Sequence, residues 1–459
     1  MRDFTLNRAQ IKINFRVRIF LVREISLSAD QLVSALLNLP EEKNLCLLDS
    51  CGVSHLGSHL LIAGIDPIEI LEISESDAEK TLKILDEKLS RENLAAFLTI
   101  SYDFGLKLNR IAPRRKEFSA FDEPDVFMAL FDCLIVHDYD TSKTFLTGNE
   151  NRFDEIETAL TNSPNLLNPA NSPNSIISSN FTCENYISAI EKIQEYIRSG
   201  DTYQTNLTQQ LRAQLPDNLT PEQIFLRLRK NHPAPFASFI RRKNDKVISA
   251  SPERFLKISQ SQIENRKSKI ITVSPIKGTR PRGKISDEDA RLKRELLNSE
   301  KDRAENIMIV DLLRNDIGRI CEFGSVKVEK LCNLETHPTL YHLVSTVSGK
   351  LRENTNFSDI LKAVFPCGSI TGAPKIRTMQ IIDEIETASR GLSMGAIGYV
   401  GFDKMIDLSV AIRTMTVRGN EAIFNVGGGV VIDSVAEEEY QETLVKARAL
   451  LQAICADSF

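Results

Sequence analysis

Twenty consecutive residues without a charge, Thr161–Asn180 (TNSPNLLNPANSPNSIISSN), constrain the architecture more than any other stretch of this chain. Their Asn, Ser and Pro content and imperfect repeat of Asn-Ser-Pro-Asn read as a flexible linker or long surface loop. With 459 residues, the chain is then two lobes, 1–160 and 181–459, or one large two-layer domain. In the first lobe, Leu45–Leu48 and Leu60–Ile65 are apolar runs between turn residues, hence strands, and Ser76–Asn93 is a charged helix. The second lobe opens with an amphipathic helix, Glu184–Ser199, closed by Gly200. A strand of alternating character follows from Asp201, and Val247–Ala250 is another. His55, His59 and His137 have no carboxylate or cysteine at useful spacing and read as structural.

Composition excludes several classes. A net charge of −5 with scattered lysines and arginines offers no field for nucleic acid. No apolar run approaches the roughly 20 residues of a membrane helix, and Met1–Ile25 lacks a signal-peptide core. Eight cysteines form no Cys-x-x-Cys and no zinc spacing, which reads as reduced thiols in a cytoplasmic protein. A glutaminase elbow, Gly-x-Cys-x-Gly, is missing, so any ammonia this chain uses comes from another protein.

The chemistry concentrates after Asp201. Lys277 stands in Pro275-Ile276-Lys277-Gly278-Thr279, where proline and glycine fix the backbone on either side of one amine. Alone, such a lysine is solvated more often than catalytic. Glu253 follows a strand end and a proline in Ser251-Pro252-Glu253-Arg254-Phe255, a place for a catalytic acid, although salt-bridged loop glutamates are commoner. Asp302 with Glu305, and Glu439 with Glu442, stand three apart on helices, so each pair shares a face. Either pair alone reads as a solvated acidic face. Opposed across a cleft, the two pairs suit Mg²⁺, a hard cation that keeps some of its waters. Gly-rich Phe365–Lys375 precedes a helix over Ile376–Ile385 and offers amides to an anion, and Gly427-Gly428-Gly429 lets a ligand approach the backbone closely. Neither matches a nucleotide fingerprint.

In order, the segments SPERF, PIKGT, KDRAENIMIVDLLRND, YHLVSTVSG, FPCGSITGAPK, GAIGYVGF, AIRTM, NVGGGVV and EEEYQETLVKA resemble the chorismate-binding enzymes. That family includes anthranilate, isochorismate, salicylate and aminodeoxychorismate synthases. The resemblance is dense from Asp201 to Ala447 and looser before it, where Leu47-Leu48-Asp49-Ser50 resembles the tryptophan-pocket segment of the anthranilate enzymes.

The resemblance implies an α/β (α+β) fold: a two-layer β-sandwich of antiparallel sheets, fed by both lobes, with helices outside. It implies Lys277 and Glu253 as catalytic groups, the lysine attacking chorismate carbon 2 while the glutamate protonates the departing 4-hydroxyl. Ser369, Tyr399, Arg413, Gly428, His342 and Lys446 would bind substrate, Tyr399 and Arg413 at the enolpyruvyl carboxylate. His342 fits the ring-contacting histidine better than His337. Glu305 and Glu442 would ligate Mg²⁺ directly, with Asp302 and Glu439 in support. Gln204 stands where the water-adding enzymes carry a lysine base, and a lysine at 277 marks the branch that aminates carbon 4. Ammonia would come from a separate glutamine amidotransferase subunit in a heterodimer. A separate lyase would complete 4-aminobenzoate for folate. The chain departs from its relatives in a polar insert, Ser259–Lys269, that lengthens a hairpin, and in having no tryptophan.

Overall fold

The computed structural model of the protein describes residues 21–54, 59–75, 77–116, 118, 121–162, 175–263, 266–336 and 340–454. Period-two burial builds its strands. In Leu45–Asp49, Leu45 and Leu47 pack beneath the outer helices, while Cys46 between them packs inward against the opposite sheet. Leu61 and Ala63 point outward in Leu60–Ile65 and Ile62 inward by the same rule.

Two antiparallel sheets result. The larger runs from Leu21–Ile25 through Leu60–Ile65, Leu45–Asp49, Phe236–Arg241 and Lys246–Ser251 to Glu421–Val430 and Gln204–Gln214. The other runs from Ile276–Pro281 through Leu340–Lys350, Arg266–Val273, Arg254–Ile263 and Ile406–Val410 to Ala396–Val400, Ala95–Ile100 and Glu69–Ile73. Both sheets draw strands from either side of residues 161–180. The seams are Leu45–Asp49 against Phe236–Arg241, and Ala95–Ile100 against Ala396–Val400. Part of the expected linker is itself a strand, because Ile176–Ser179 pairs with Leu211–Gln214. Residues 163–174 lie outside the described residues.

Between the sheets, Ile62, Val136 and Val247 meet Phe97, Phe127 and Phe131 in an apolar core. Helices Ala29–Leu37, Pro221–Asn231 and Ala436–Ala453 cover the larger sheet through Leu32, Phe225 and Leu450. Helices Ala78–Ser90, Glu300–Gly318 and Phe357–Val364 cover the other through Leu85, Ile309 and Leu361. The expected sandwich with outer helices is the observed fold. Caps set the helix starts: Asp77 begins Ala78–Ser90 two residues inside the sequence-based bound, and Thr182 begins Cys183–Arg198.

The insert lengthens a hairpin as expected, Ser259 pairing with Ile270 and Gln260 with Lys269. His137 bonds Thr144. His59 does meet a carboxylate, Asp140 at 2.6 Å, which chain spacing hides because they are brought together only by the fold. His55 and His337 lie outside the described residues. The described cysteines are free, and no helix among the described residues is long and apolar enough to cross a membrane.

Candidate active site

Ser251-Pro252-Glu253 carries the chain from the larger sheet into the other, so Glu253 stands where the two sheets meet. Its carbonyl accepts from Val410 N–H at 3.0 Å, which ties the turn to the smaller sheet. The carboxyl group is buried, and its Oε1 has no hydrogen-bond partner among the described residues. Burial raises its pKa, while the Ser369 hydroxyl, the nearby Lys277 ammonium and the Ile276 amide work against that rise. A carboxyl that burial makes hold its proton more tightly, with one oxygen unpartnered among the described residues, is equipped to donate it.

Lys277 belongs to the strand Ile276–Pro281, whose pairing with Leu340–Lys350 is irregular between Lys277 and Thr279. Gly278 makes the irregularity possible. It has φ +77, and a Cβ there would lie 2.9 Å from the Cβ of Asp302. The Lys277 Nζ stands 3.8 Å from Glu305 Oε2. Across the gap, a Cβ on Gly429 would lie 3.5 Å from that Nζ and 2.0 Å from Gln204 Nε2. Glycine is what leaves room for the amine and the amide side by side.

The acidic pairs face the same gap. Ser299 caps helix Glu300–Gly318 and so sets the turn that carries Asp302 and Glu305. Glu439 and Glu442 lie on Ala436–Ala453, and a Cβ on Gly428 would be 3.3 Å from Glu439 Oε2 and 3.6 Å from Glu442 Oε1. Each carboxylate has an internal cation. Asp302 pairs with Arg280 at 3.2 Å, Glu442 with Lys446 at 2.6 Å, and Glu439 with Lys301 at 3.9 Å. Burial works to raise the pKa of Glu442, but Lys446, Lys301 and Lys277 outweigh it and hold the group low. Glu439 is raised by burial despite the Ser434 hydroxyl at 2.7 Å. Among the described residues no three His, Cys, Asp or Glu converge closely enough to hold a metal unaided. The donors are the hard oxygens that Mg²⁺ prefers, grouped around one gap and neutralised by lysine and arginine.

The other expected residues divide. Ser369 reaches Glu253 from the Gly368–Ile370 turn. His342, buried, shares a 2.8 Å hydrogen bond between its Nδ1 and the Thr279 hydroxyl. Lys446 points at the glycine strand, donating to the Gly427 carbonyl at 2.9 Å. Arg413 is half-buried with φ +48, and burial alone depresses its guanidinium. Its carbonyl accepts from Ala250, beside the Glu253 turn.

Tyr399 lines a cavity of about 80 Å³ with Leu48, Asp49, Ser50, Lys257 and Asp407. Strand alternation puts it on the face of Ile397, toward the inter-sheet core. The Asn206 side chain was not anticipated: it is buried and its Oδ1 lacks a partner among the described residues, two positions along the strand from Gln204. Period two from Gln204 would have marked it.

The family model for chorismate binding enzyme matches residues 46–452. The chain belongs to the chorismate-binding enzymes. It is 34% identical over 436 residues to aminodeoxychorismate synthase component 1 of Bacillus subtilis, covering 87% of this chain and 90% of that protein. It is 46% identical over 276 residues to the Escherichia coli protein of the same name, covering 60% and 59%. It is also 43% identical over 276 residues to anthranilate synthase component 1 of Aquifex aeolicus, covering 60% and 54%. Among solved structures, anthranilate synthase component I of Streptococcus pneumoniae superposes with a TM-score of 0.75 at 27% identity, covering 87% of this chain and 93% of that one.

Proposed function

We propose that this chain is an aminodeoxychorismate synthase component 1, converting chorismate and ammonia to 4-amino-4-deoxychorismate. The observation that carries the reading is the Lys277 amine held between the glycine strand and Glu305, in one cleft with Glu253.

Glu253 gives its proton to the departing 4-hydroxyl, which leaves as water. Lys277 first gives up its ammonium proton to solvent; its amine then attacks ring carbon 2, the double bond shifts, and a carbon–nitrogen bond replaces the lost carbon–oxygen bond. Ammonia then attacks carbon 4, the double bond shifts back, and the lysine departs. Two allylic displacements replace one same-carbon substitution. Arg413, whose burial no acid among the described residues offsets, would hold a substrate carboxylate as a guanidinium fork. Ser369 and Gln204 orient the ring side of the cleft beside Glu253 and Lys277. Glu305, Glu442, Asp302 and Glu439 would hold Mg²⁺, which when bound supplies charge neutralisation at a carboxylate. Ammonia would be delivered by a glutamine amidotransferase partner, and a separate lyase would release 4-aminobenzoate toward folate.

Anthranilate synthase is the second reading, supported by the Aquifex relative and the Streptococcus structure. The lysine at 277 argues against it. Chorismate, Mg²⁺ and ammonium salt, followed by an aminodeoxychorismate lyase and mass spectrometry, separate the two. 4-Aminobenzoate is the expected product. An ortho-amino product would transfer the chain to the anthranilate branch.

A further inference from the structure

Arg390 and Glu386 form an ion pair that is 1% and 3% exposed, in a loop beyond the end of helix Lys375–Ile385. The guanidinium donates twice to Glu386, at 2.9 and 2.7 Å. Its remaining donors reach two backbone carbonyls, Ile370 at 3.0 Å and Asn206 at 2.7 Å. Glu386 in turn accepts from the Thr208 amide at 2.7 Å and hydroxyl at 2.9 Å. The Tyr102 ring lies 4.4 Å from the guanidinium carbon and closes the far side.

These contacts converge on two walls of the cleft. Ile370 follows Ser369, whose hydroxyl is near enough to Glu253 to oppose the rise of its pKa. Asn206 and Thr208 lie on the strand of Gln204, and the Asn206 amide donates to the Thr371 carbonyl at 2.7 Å. One guanidinium therefore grips both the loop that carries Ser369 and the strand that carries Gln204. We propose that Arg390, anchored by Glu386, is a positioning residue that holds the loop carrying Ser369 against the strand carrying Gln204. The inference rests on the aminating reading only for what the cleft does; the clamp itself is a matter of structure. A planar five-donor fork has a reason to be here that a lysine does not, because one ammonium cannot reach Glu386 twice and two carbonyls besides.

Cys367 provides a local probe. It is buried in the same loop, its Sγ 3.3 Å from the Ser369 hydroxyl, and burial pushes its thiol up to about 12. In Arg390→Lys, mass-spectrometric peptide mapping should find Cys367 alkylated about tenfold faster, with Cys46 and Cys133 of the larger sheet unchanged. Chorismate turnover by the same variant should lose about 10²-fold in kcat with a smaller change in KM. If Arg390 acts through Ser369, Ser369→Ala should mask most of that loss in the double variant. The proposal is overturned if Cys367 keeps its wild-type rate, if all three thiols accelerate together, or if the two kcat losses multiply. Wild-type protein that leaves chorismate untouched would overturn the functional reading instead, and the alkylation arm would still decide the clamp.

Discussion

The gap between the two sheets is filled in opposite ways in its middle and at the cleft. In the middle, Phe97 and Phe131 meet edge to face with centroids 5.3 Å apart, and neighbouring aliphatic side chains close the space. At the cleft, the larger sheet contributes Gly427, Gly428 and Gly429, and the opposing side chains are Lys277, Glu439, Glu442 and Lys446. The same sandwich thus holds a core where side chains are large and a site where they are missing. The cleft needs no domain boundary, only a strand without side chains. Its charges tolerate their surroundings because they are paired, Lys446 with Glu442 and Arg280 with Asp302.

The contrast can be broken from either side. Removing the amine, Lys277→Ala, should have the largest effect. The 4-amino product should fall on the order of 10⁴-fold, measured by the lyase-coupled assay, while the melting temperature stays close to wild type. Any residual amination should appear as the ortho-amino isomer, and full retention of 4-amination would remove Lys277 from the mechanism. Phe97→Ala should do the reverse, costing about 3–5 kcal/mol in denaturant unfolding while the folded protein keeps its kcat. A core variant that lost activity but not stability would show that core and cleft are not independent. Filling the cleft with Gly429→Ala should cost about 10²-fold in kcat/KM, because the new methyl lands on the Gln204 amide beside Lys277. Unchanged kinetics would mean that the glycine strand does not shape the site.

Much of this contrast was legible before the fold. An apolar run between turn residues marked Leu60–Ile65 to the residue, and i, i+3 spacing put Asp302 with Glu305 and Glu439 with Glu442 on single helix faces. The nearness of Ser369 to Glu253 was not legible, because it depends on a turn crossing between sheets and a distant loop folding back on it. The cavity that Tyr399 lines was not legible either, because motif order carries no information about strand face, whereas its alternation with Ile397 does. Arg390 and Glu386 escaped because an i, i+4 pair of opposite charge ordinarily reads as a solvated helix surface. Here the pair lies past the helix end, and its partners are backbone carbonyls that no side-chain pattern reveals.

The smallest expected effect concerns Glu253 itself and separates catalysis from stability. Burial raises its folded pKa above the unfolded value, so between the two values the native state binds more protons than the unfolded chain. Stability from this group is therefore complete below the ordinary carboxylate range and declines as pH rises through the folded pKa. Glu253→Gln removes that decline, since the amide stays neutral throughout. The variant should lose 4-amination at every pH, yet unfold at slightly higher denaturant than wild type at neutral pH, with the advantage shrinking as pH falls toward 4. Denaturant titrations of both proteins at several pH values would show this as diverging midpoints. A wild-type protein that instead gained stability relative to the variant on going to neutral pH would mean that Glu253 is ionised and favourably solvated in the fold. It would then be better suited to accept a proton than to give one.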